Sequence, residues 1–507
     1  MYSPSAPTSS LNLPAERPGA GTRIFFDALA AGFVLLLIAQ LAVGTSVYFA
    51  AGVFVTLMIV VFTWRFLGIG NVAGLLIAVM ATNYLVVSQI LKTLYGQPGD
   101  SNLGAPDTTI LVLLVGFSAT CAAAILVTTL IGKRRVIAVD PSPTVLLYLR
   151  NITLGIGLVF VIYNRIADSG TDGSAQYGGF YAISHQFSGI IALPILAETW
   201  RLLMLSKGQR SLSVFNIALM IAIAVFGFIS NTKEGTIAPF VLYLATTVAY
   251  RCYVTRGQII TAIAGAIVFV FLLYPAVQIM RSDRTATGIT AETATEFVET
   301  TLSDPLAFFR RFQQFQAVIP PNDLFTQSLA YLGTYDELTG RFLLIANADV
   351  VVNAVNADGP FGIGLWTMGI EQAVPTVLYP DKPRDDTSDI VTWYYGLRDW
   401  HVVGSPAIGL FAESYAIAEL PGVVFLSFIL MAIFFFELEL TGTTIVRNFL
   451  ATFFFFNFLH AFSEQSADGI AFQILRNIPI YYAIILGAVF LADVFAGRHT
   501  GRRVRQG

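Results

Sequence analysis

The chain has 507 residues, of which 55% are hydrophobic and only 12% charged, with a net charge of −3 and a mean hydropathy of +0.70. Soluble domains carry roughly twice that share of charge, so a water-soluble globular protein is excluded, and neither the small net charge nor any basic face points to nucleic acid. Cys121 and Cys252 fall in apolar runs or at their edge, and no CxxC, HExxH, P-loop or GxGxxG context occurs. A disulfide framework, a metal site and nucleotide binding are therefore not expected.

Residues 1–22 are rich in Ser, Pro, Ala and Gly and read as a disordered tail, without the charged start, apolar core and cleavage site of a signal peptide. Apolar runs near the ~20 residues that cross a bilayer core then follow at 24–44, 47–65, 72–91, 109–131, 144–163, 179–203, 212–230, 236–252 and 259–280, and later at 410–437, 445–462 and 476–496. The predicted fold is an all-α integral membrane protein of about twelve transmembrane helices. Nine lie over 23–280 and three over 410–497; a large, mostly helical extracytoplasmic loop spans 281–409, and a basic tail spans 498–507. The connector at Gly44–Ser46 is short enough to force a tight hairpin.

Lysine and arginine in short loops set the orientation. With the N-terminus inside, the inner loops hold Arg65, Lys133 to Arg135, Arg201, Lys207, Arg210, Arg251, Arg256 and Arg447, and the tail adds Arg498, Arg502, Arg503 and Arg505. The outer connectors hold only Lys92, Arg165, Lys233 and, at a helix edge, Arg476, which places 281–409 outside the cytoplasm. Arg150 is expected to snorkel at the inner end of its helix. No internal repeat and no convincing interrupted helix is visible, which argues against a transporter.

The long loop is patterned. FVETTLSDPLAFFRRFQQF has apolar residues at helical spacing with a start at Ser303, Asp304 and Pro305, and Arg310 and Arg311 suit its polar face. Residues 342–355 are apolar but too short to span, hence a buried or interfacial helix. The stretch from Gly359 to Pro380 mixes glycine, proline and aromatics as a surface or re-entrant element does.

On this topology the unusual polar residues gather at one outer level: His185, Lys233 with Glu234, Arg281 with Arg284, Arg398 with His401, Glu413 with Tyr415, and His460 with Glu464 and Gln465. Ionisable groups at membrane depth cost roughly 2.5–3.5 kcal/mol each, so a cluster suggests a site. Arginine forks bind phosphate oxygens and stabilise a departing phosphate. A histidine or carboxylate takes a proton from an attacking hydroxyl. The aromatic faces of WYYGLRDWH (393–401), Trp400 among them, suit sugar rings. Helix-end anchors and solvated turn pairs account for single members of the set equally well.

The turn SNTKEGTIAPFVLYL resembles the small-basic-acidic-Gly turn of bacterial O-antigen and exopolysaccharide repeat-unit polymerases of the Wzy type. VPTVLYPDKPRDD followed by GSPAIGLFAESYAIAELPGVVF is similar to the end of their large periplasmic loop. The resemblance covers most of the chain after about residue 175. It implies a metal- and cofactor-independent glycosyltransferase of the inner membrane, with both termini cytoplasmic, joining undecaprenyl-pyrophosphate-linked oligosaccharides on the periplasmic face. By position, Lys233, Arg281 and Arg284 face the pyrophosphate. His401 and Glu413 are the catalytic candidates, and Arg398, Trp400, Tyr415 and His185 form the sugar site. A chain-length regulator and a flippase are the implied partners besides the bilayer. An O-antigen ligase shares this layout; a lipid-linked oligosaccharide flippase, an ion-coupled permease and a scaffold of an export complex are the readings from other classes.

Overall fold

The computed structural model describes residues 20–132, 135–169, 189–229, 233–250, 330–333, 343–374, 378–379, 382, 386–399 and 407–497, with residues 260, 263 and 265 singly. Among them all regular structure is helical apart from an isolated bridge between Asn71 and Thr444. Helices α1 (Ala20–Ala42), α2 (Val47–Leu67), α3 (Val72–Leu94), α4 (Pro106–Ile131) and α5 (Pro143–Ser169) come first. Then follow α6 (Leu193–Leu205), α7 (Val214–Ile229) and α8 (Lys233–Ala249). The loop helices are α9 (Leu344–Asp358), α10 (Ile363–Ala373) and α11 (Thr387–Tyr394); the last are α12 (Leu410–Glu439), α13 (Phe449–Glu464) and α14 (Ala467–Phe495). Seven of the described helices, α1 to α5, α12 and α14, are long and apolar enough to cross a membrane, while the apolar parts of α7 and α8 are shorter. The chain is a multi-pass membrane protein. Of the twelve expected spans, the one at 259–280, apart from residues 260, 263 and 265, and the start of the one at 179–203 lie outside the described residues, as do residues 1–19 and 498–507.

The helix ends follow local chemistry. Ser46, Asn71 and Asn448 each turn a side-chain oxygen back onto a backbone N–H three residues on, and these N-caps start α2, α3 and α13. The hairpin at Gly44–Ser46 forms as expected. The centre of the bundle is α4 against α12, where a Cβ on Gly116 would sit 2.3 Å from the Phe411 ring. Lipid tails give no hydrophobic drive for helix pairing, so close approach at a small residue carries the contact. Tyr84, Phe117 and Phe411 close over it, and Phe434, Phe454, Phe458 and Phe462 tie α12 to α13.

The connectors fall on two faces. On one, Asn71 and Thr128 donate to the buried Glu439 carboxylate, Ile137 N–H donates to Leu440 O, and Arg447 N–H donates to Ala249 O. On the other, the segments around Thr45, 95–105, 330–333 and Asp349 interlock. Ser46 N–H donates to Asp100, Gln97 donates to Leu332 O at 3.0 Å, and Asn102 donates to Tyr331 O at 3.0 Å. Lys92, expected in an outer connector, is instead fully buried in the last turn of α3. Its Nζ donates to Gln97 Oε1, Ser101 O and Ser101 Oγ and lies 4.2 Å over the Tyr331 ring. Lys92→Met removes those donors while filling the space. It is expected to cost about 2 kcal/mol, read as a lower unfolding temperature and faster proteolysis at 330–333; unchanged proteolysis there would mean Tyr331 docks without the lysine.

Two readings of the helices need correction. Arg150 does not snorkel: it pairs with Glu198 of α6 at 3.0 Å, because Glu198 is buried and needs compensating charge. Helices are also interrupted where continuous ones were expected. α3 and α14 carry π turns at Thr82–Val86 and Gln473–Asn477. α12 breaks at Ala418 and Glu419, whose φ is +51°, just before Pro421, which supplies no N–H and disfavours helix in the preceding turn. The carbonyl of Ala416 freed there is taken by the N–H of Phe361, at 2.7 Å, from the loop.

Candidate functional site

The break in α12 separates its first residues, which pack both on the middle of α4 and in a cap made with α9, α10 and α11, from the rest of the helix, Leu420–Glu439. α9 is pinned by Asp349, whose two oxygens accept from Gly104 N–H at 2.6 Å, Ala105 N–H at 3.0 Å and Thr109 Oγ1 at 2.8 Å at the start of α4. Burial pushes the Asp349 carboxyl above its ordinary range, and the three hydrogen bonds oppose that shift. α10 lies along the first turns of α14, with Gly369 against Asp468. Tyr395 Oη donates to Gly359 O at 2.9 Å and so holds α11 to the loop before α10.

Glu413 is the hub. One oxygen accepts from Thr387 Oγ1 at 2.7 Å, at the start of α11, and the other accepts from the N–H of Ala467, the first residue of α14. Three chain segments far apart in sequence thus meet on one carboxylate that is 1% exposed. Asp468 accepts from Ser466 Oγ and Gly469 N–H, and Asp386 caps α11 through Ser388 N–H. Both acids act electrostatically on Glu413, so Thr387 and the helix N-termini offset a concentration of negative charge. Because both Glu413 oxygens are engaged, this residue holds the cap in place.

The other expected site residues divide as follows. Arg398 is half-buried and pairs with Asp389 at 3.2 Å, tying the turn that follows α11 back onto that helix. Tyr415 is buried, its Oη donating to Asn356 Oδ1 at 2.8 Å across to α9, so it braces the cap. Lys233 begins α8, but its side chain lies outside the described residues, and so do Arg281, Arg284, Trp400, His401 and His185 and the side chain of His460. Residues the sequence reading missed are Thr387, Asp389, Asp468 and Asp349. Tyr394, one of the aromatics of the 393–401 run, is 57% exposed beside Phe361. Asp386-Thr387-Ser388 was legible as a helix start, and nothing in the sequence linked it to Glu413. Among the described residues no group of three or more His, Cys, Asp or Glu side chains is arranged to hold a metal ion.

The chain matches no protein-family model, no curated protein and no solved structure.

Proposed function

We propose that the chain is an inner-membrane glycosyltransferase that polymerises undecaprenyl-pyrophosphate-linked oligosaccharide repeat units into O-antigen or exopolysaccharide on the periplasmic face. The observation that supports it most is the ordered cap seated on the starts of α4, α12 and α14, on the face that the lysine and arginine bias assigns to the periplasm. A lid of short helices over spans gives a lipid-borne sugar a protein surface beside the membrane.

In this reading a sugar hydroxyl of one repeat unit attacks the anomeric carbon of another. His401 takes its proton, and the bond from that carbon to the pyrophosphate oxygen breaks with lipid pyrophosphate leaving. Lys233, Arg281 and Arg284 stabilise the departing charge, and Glu413 positions rather than transfers protons, since its oxygens bind Thr387 and Ala467. Sugar stacking falls to Trp400 and the exposed Tyr394 ring, with Arg398, Tyr415 and His185 shaping the pocket around them. The flippase or transporter reading has one observation in its favour, the interrupted helices α3, α12 and α14, because broken helices line many transport sites. An O-antigen ligase would use the same chemistry on a finished chain.

The test is the polysaccharide ladder in a strain lacking the chain, complemented at matched membrane levels. Arg281→Ala, Arg284→Ala and His401→Ala are each expected to lower polymerisation by about 10²-fold or more, leaving single lipid-linked repeats on the periplasmic face. Repeats trapped on the cytoplasmic face would instead establish a flippase. Full-length polymer left on its lipid carrier would establish a ligase, and full ladders from all three variants would remove the assigned site.

A further inference from the structure

The first turns of α12 begin inside the bundle, well below its cap-side end. A Cβ on Gly409 would meet Tyr84 Oη, ten residues before Leu94 ends α3, and the Phe411 ring lies on Gly116, ten residues after Pro106 opens α4. Each interval is a rise of about 15 Å. α9 climbs beside these turns in the same sense. Its helix packs on the π turn of α3, Asn347 Nδ2 donates to Ala407 O at 3.1 Å, and Asn356 accepts from Tyr415 Oη at 2.8 Å. Asp349 reaches Gly104 and Ala105, where α4 begins, so the climb runs from the interior outward.

These contacts fix the depth of α10. Phe361 N–H donates to Ala416 O, five residues along from Phe411, which places the entry to α10 about 8 Å below the start of α4. α4 has 26 residues; its length of about 39 Å exceeds a hydrocarbon core of ~30 Å by about 5 Å at each end. Ile363 accordingly lies within the edge of the core. Further along α10, a Cβ on Gly369 would lie 2.6 Å from Asp468 Cβ, and the N–H of the adjoining Ala467 is held by Glu413, which is deeper than Ala416. The helix therefore runs across the leaflet's depth and does not rise into water.

Its residues suit that setting. From Gly362 to Tyr379 the sequence has one charged side chain, Glu371. Leu365, Gly369 and Ala373 make the buried face, packed on α14 and α11. The opposite face carries Ile363, 66% exposed, and Ile370, 37% exposed, with Thr367 between them. Thr367 Oγ1 donates to Gly364 O at 2.8 Å and so turns its hydroxyl back onto its own helix. Glu371 stands at the edge of this face, about 80° around the helix from Ile363. Beyond the helix Leu378 is 76% exposed. A helix against water keeps a polar outward face, whereas one that is apolar on both sides meets protein or lipid there.

We propose that α10 and the segment to Tyr379 are sunk in the leaflet on the cap's side, with Ile363, Ile370 and Leu378 against the acyl chains. The partner of this face is bilayer lipid. α10 is then a wall one helix thick, with acyl chains on one side and Asp468 behind Gly369 on the other. The inference stands independently of the polymerase reading.

The experiment places a nitroxide label on Ile363→Cys, on Ile370→Cys and, as the water-facing reference, on Asp358→Cys at the far end of α9. Each full-length variant is reconstituted in phosphatidylcholine vesicles, and the signal of the unsubstituted chain, which has Cys121 and Cys252, is subtracted. Relaxation of the label is read with oxygen, which concentrates among acyl chains, and with a water-soluble nickel chelate. At both isoleucine positions oxygen should relax the label several-fold more than the chelate, and at Asp358→Cys the order should reverse. Relaxation by the chelate equal to or above that by oxygen, at either isoleucine position, overturns the proposal and puts this face in water. Protection from both reagents at either position also overturns it, because protein then covers the face.

Discussion

Glu198→Ala is expected to destabilise the protein by about 3–5 kcal/mol, the cost of stranding buried charge. Glu198 is 1% exposed on α6, and its oxygens accept from Arg150 Nη1 at 3.0 Å, Arg201 Nε at 2.8 Å and Arg201 Nη2 at 2.8 Å. Ser213 Oγ adds a longer contact at 3.4 Å from the start of α7, and Arg150 also lies 4.3 Å over the Phe215 ring. One carboxylate therefore joins α5, α6 and the beginning of α7. Removing it leaves two guanidinium groups facing each other with no anion between them. Thermal unfolding of the purified protein reads the loss, and the double change Glu198→Ala with Arg150→Met should cost less than the sum of the single changes. Strict additivity of the two would show that Arg150 owes nothing to Glu198.

Gly409→Ala is the second large effect, and it acts through backbone and space together. Gly409 precedes α12 at φ +79° and ψ 160°, and a Cβ there would lie 1.7 Å from Tyr84 Oη. The backbone region costs a non-glycine residue about 1–3 kcal/mol, and forcing the overlap costs a similar amount. Tyr84 is fully buried against Phe117 and Phe411, and its hydroxyl has no hydrogen-bond partner among the described residues. Gly409→Ala should therefore lower the unfolding temperature sharply and, by tilting the turns that carry Glu413, loosen α11 and the start of α14. Combined with Tyr84→Phe it should regain part of the stability. If Tyr84→Phe restores none of it, the backbone strain accounts for the whole effect.

The spans were legible because apolar length is a property of neighbouring residues. The run from Val47 to Leu67 and the hairpin before it need only local composition and a glycine at Gly44. The loop helix over 342–355 was legible for the same reason, as a short apolar segment flanked by polar ones, and it is the buried α9. The break in α12 was written in Glu419, Leu420, Pro421 and Gly422 but read through, because the largely apolar stretch of 20 residues from Leu420 to Glu439 is enough for a span on its own. The partners of Glu413 were not legible. Thr387 and Ala467 lie 26 and 54 residues away, and no periodicity links them. Arg150 was misread for the reverse reason, since an arginine near a helix end has a satisfactory local explanation until Glu198 is placed beside it.

The contacts that pin the cap also set an order of events during synthesis. Asp349 meets Gly104 and Ala105 across 245 and 244 residues, and Asn102 meets Tyr331 across 229. At ribosomal rates those partners emerge about 10–50 s apart. During that interval α4 and α5 join the three helices already made, while the buried ammonium of Lys92 has no aromatic roof and the opening turn of α4 has unclaimed N–H groups. The early bundle is thus a half-built state that remains open to membrane chaperones and proteases, and it is closed only by residues made about two-thirds of the way along the chain. Truncation or stalling before Tyr331 leaves helices inserted but unlatched, so these contacts double as a sign that synthesis has passed about two-thirds of the chain.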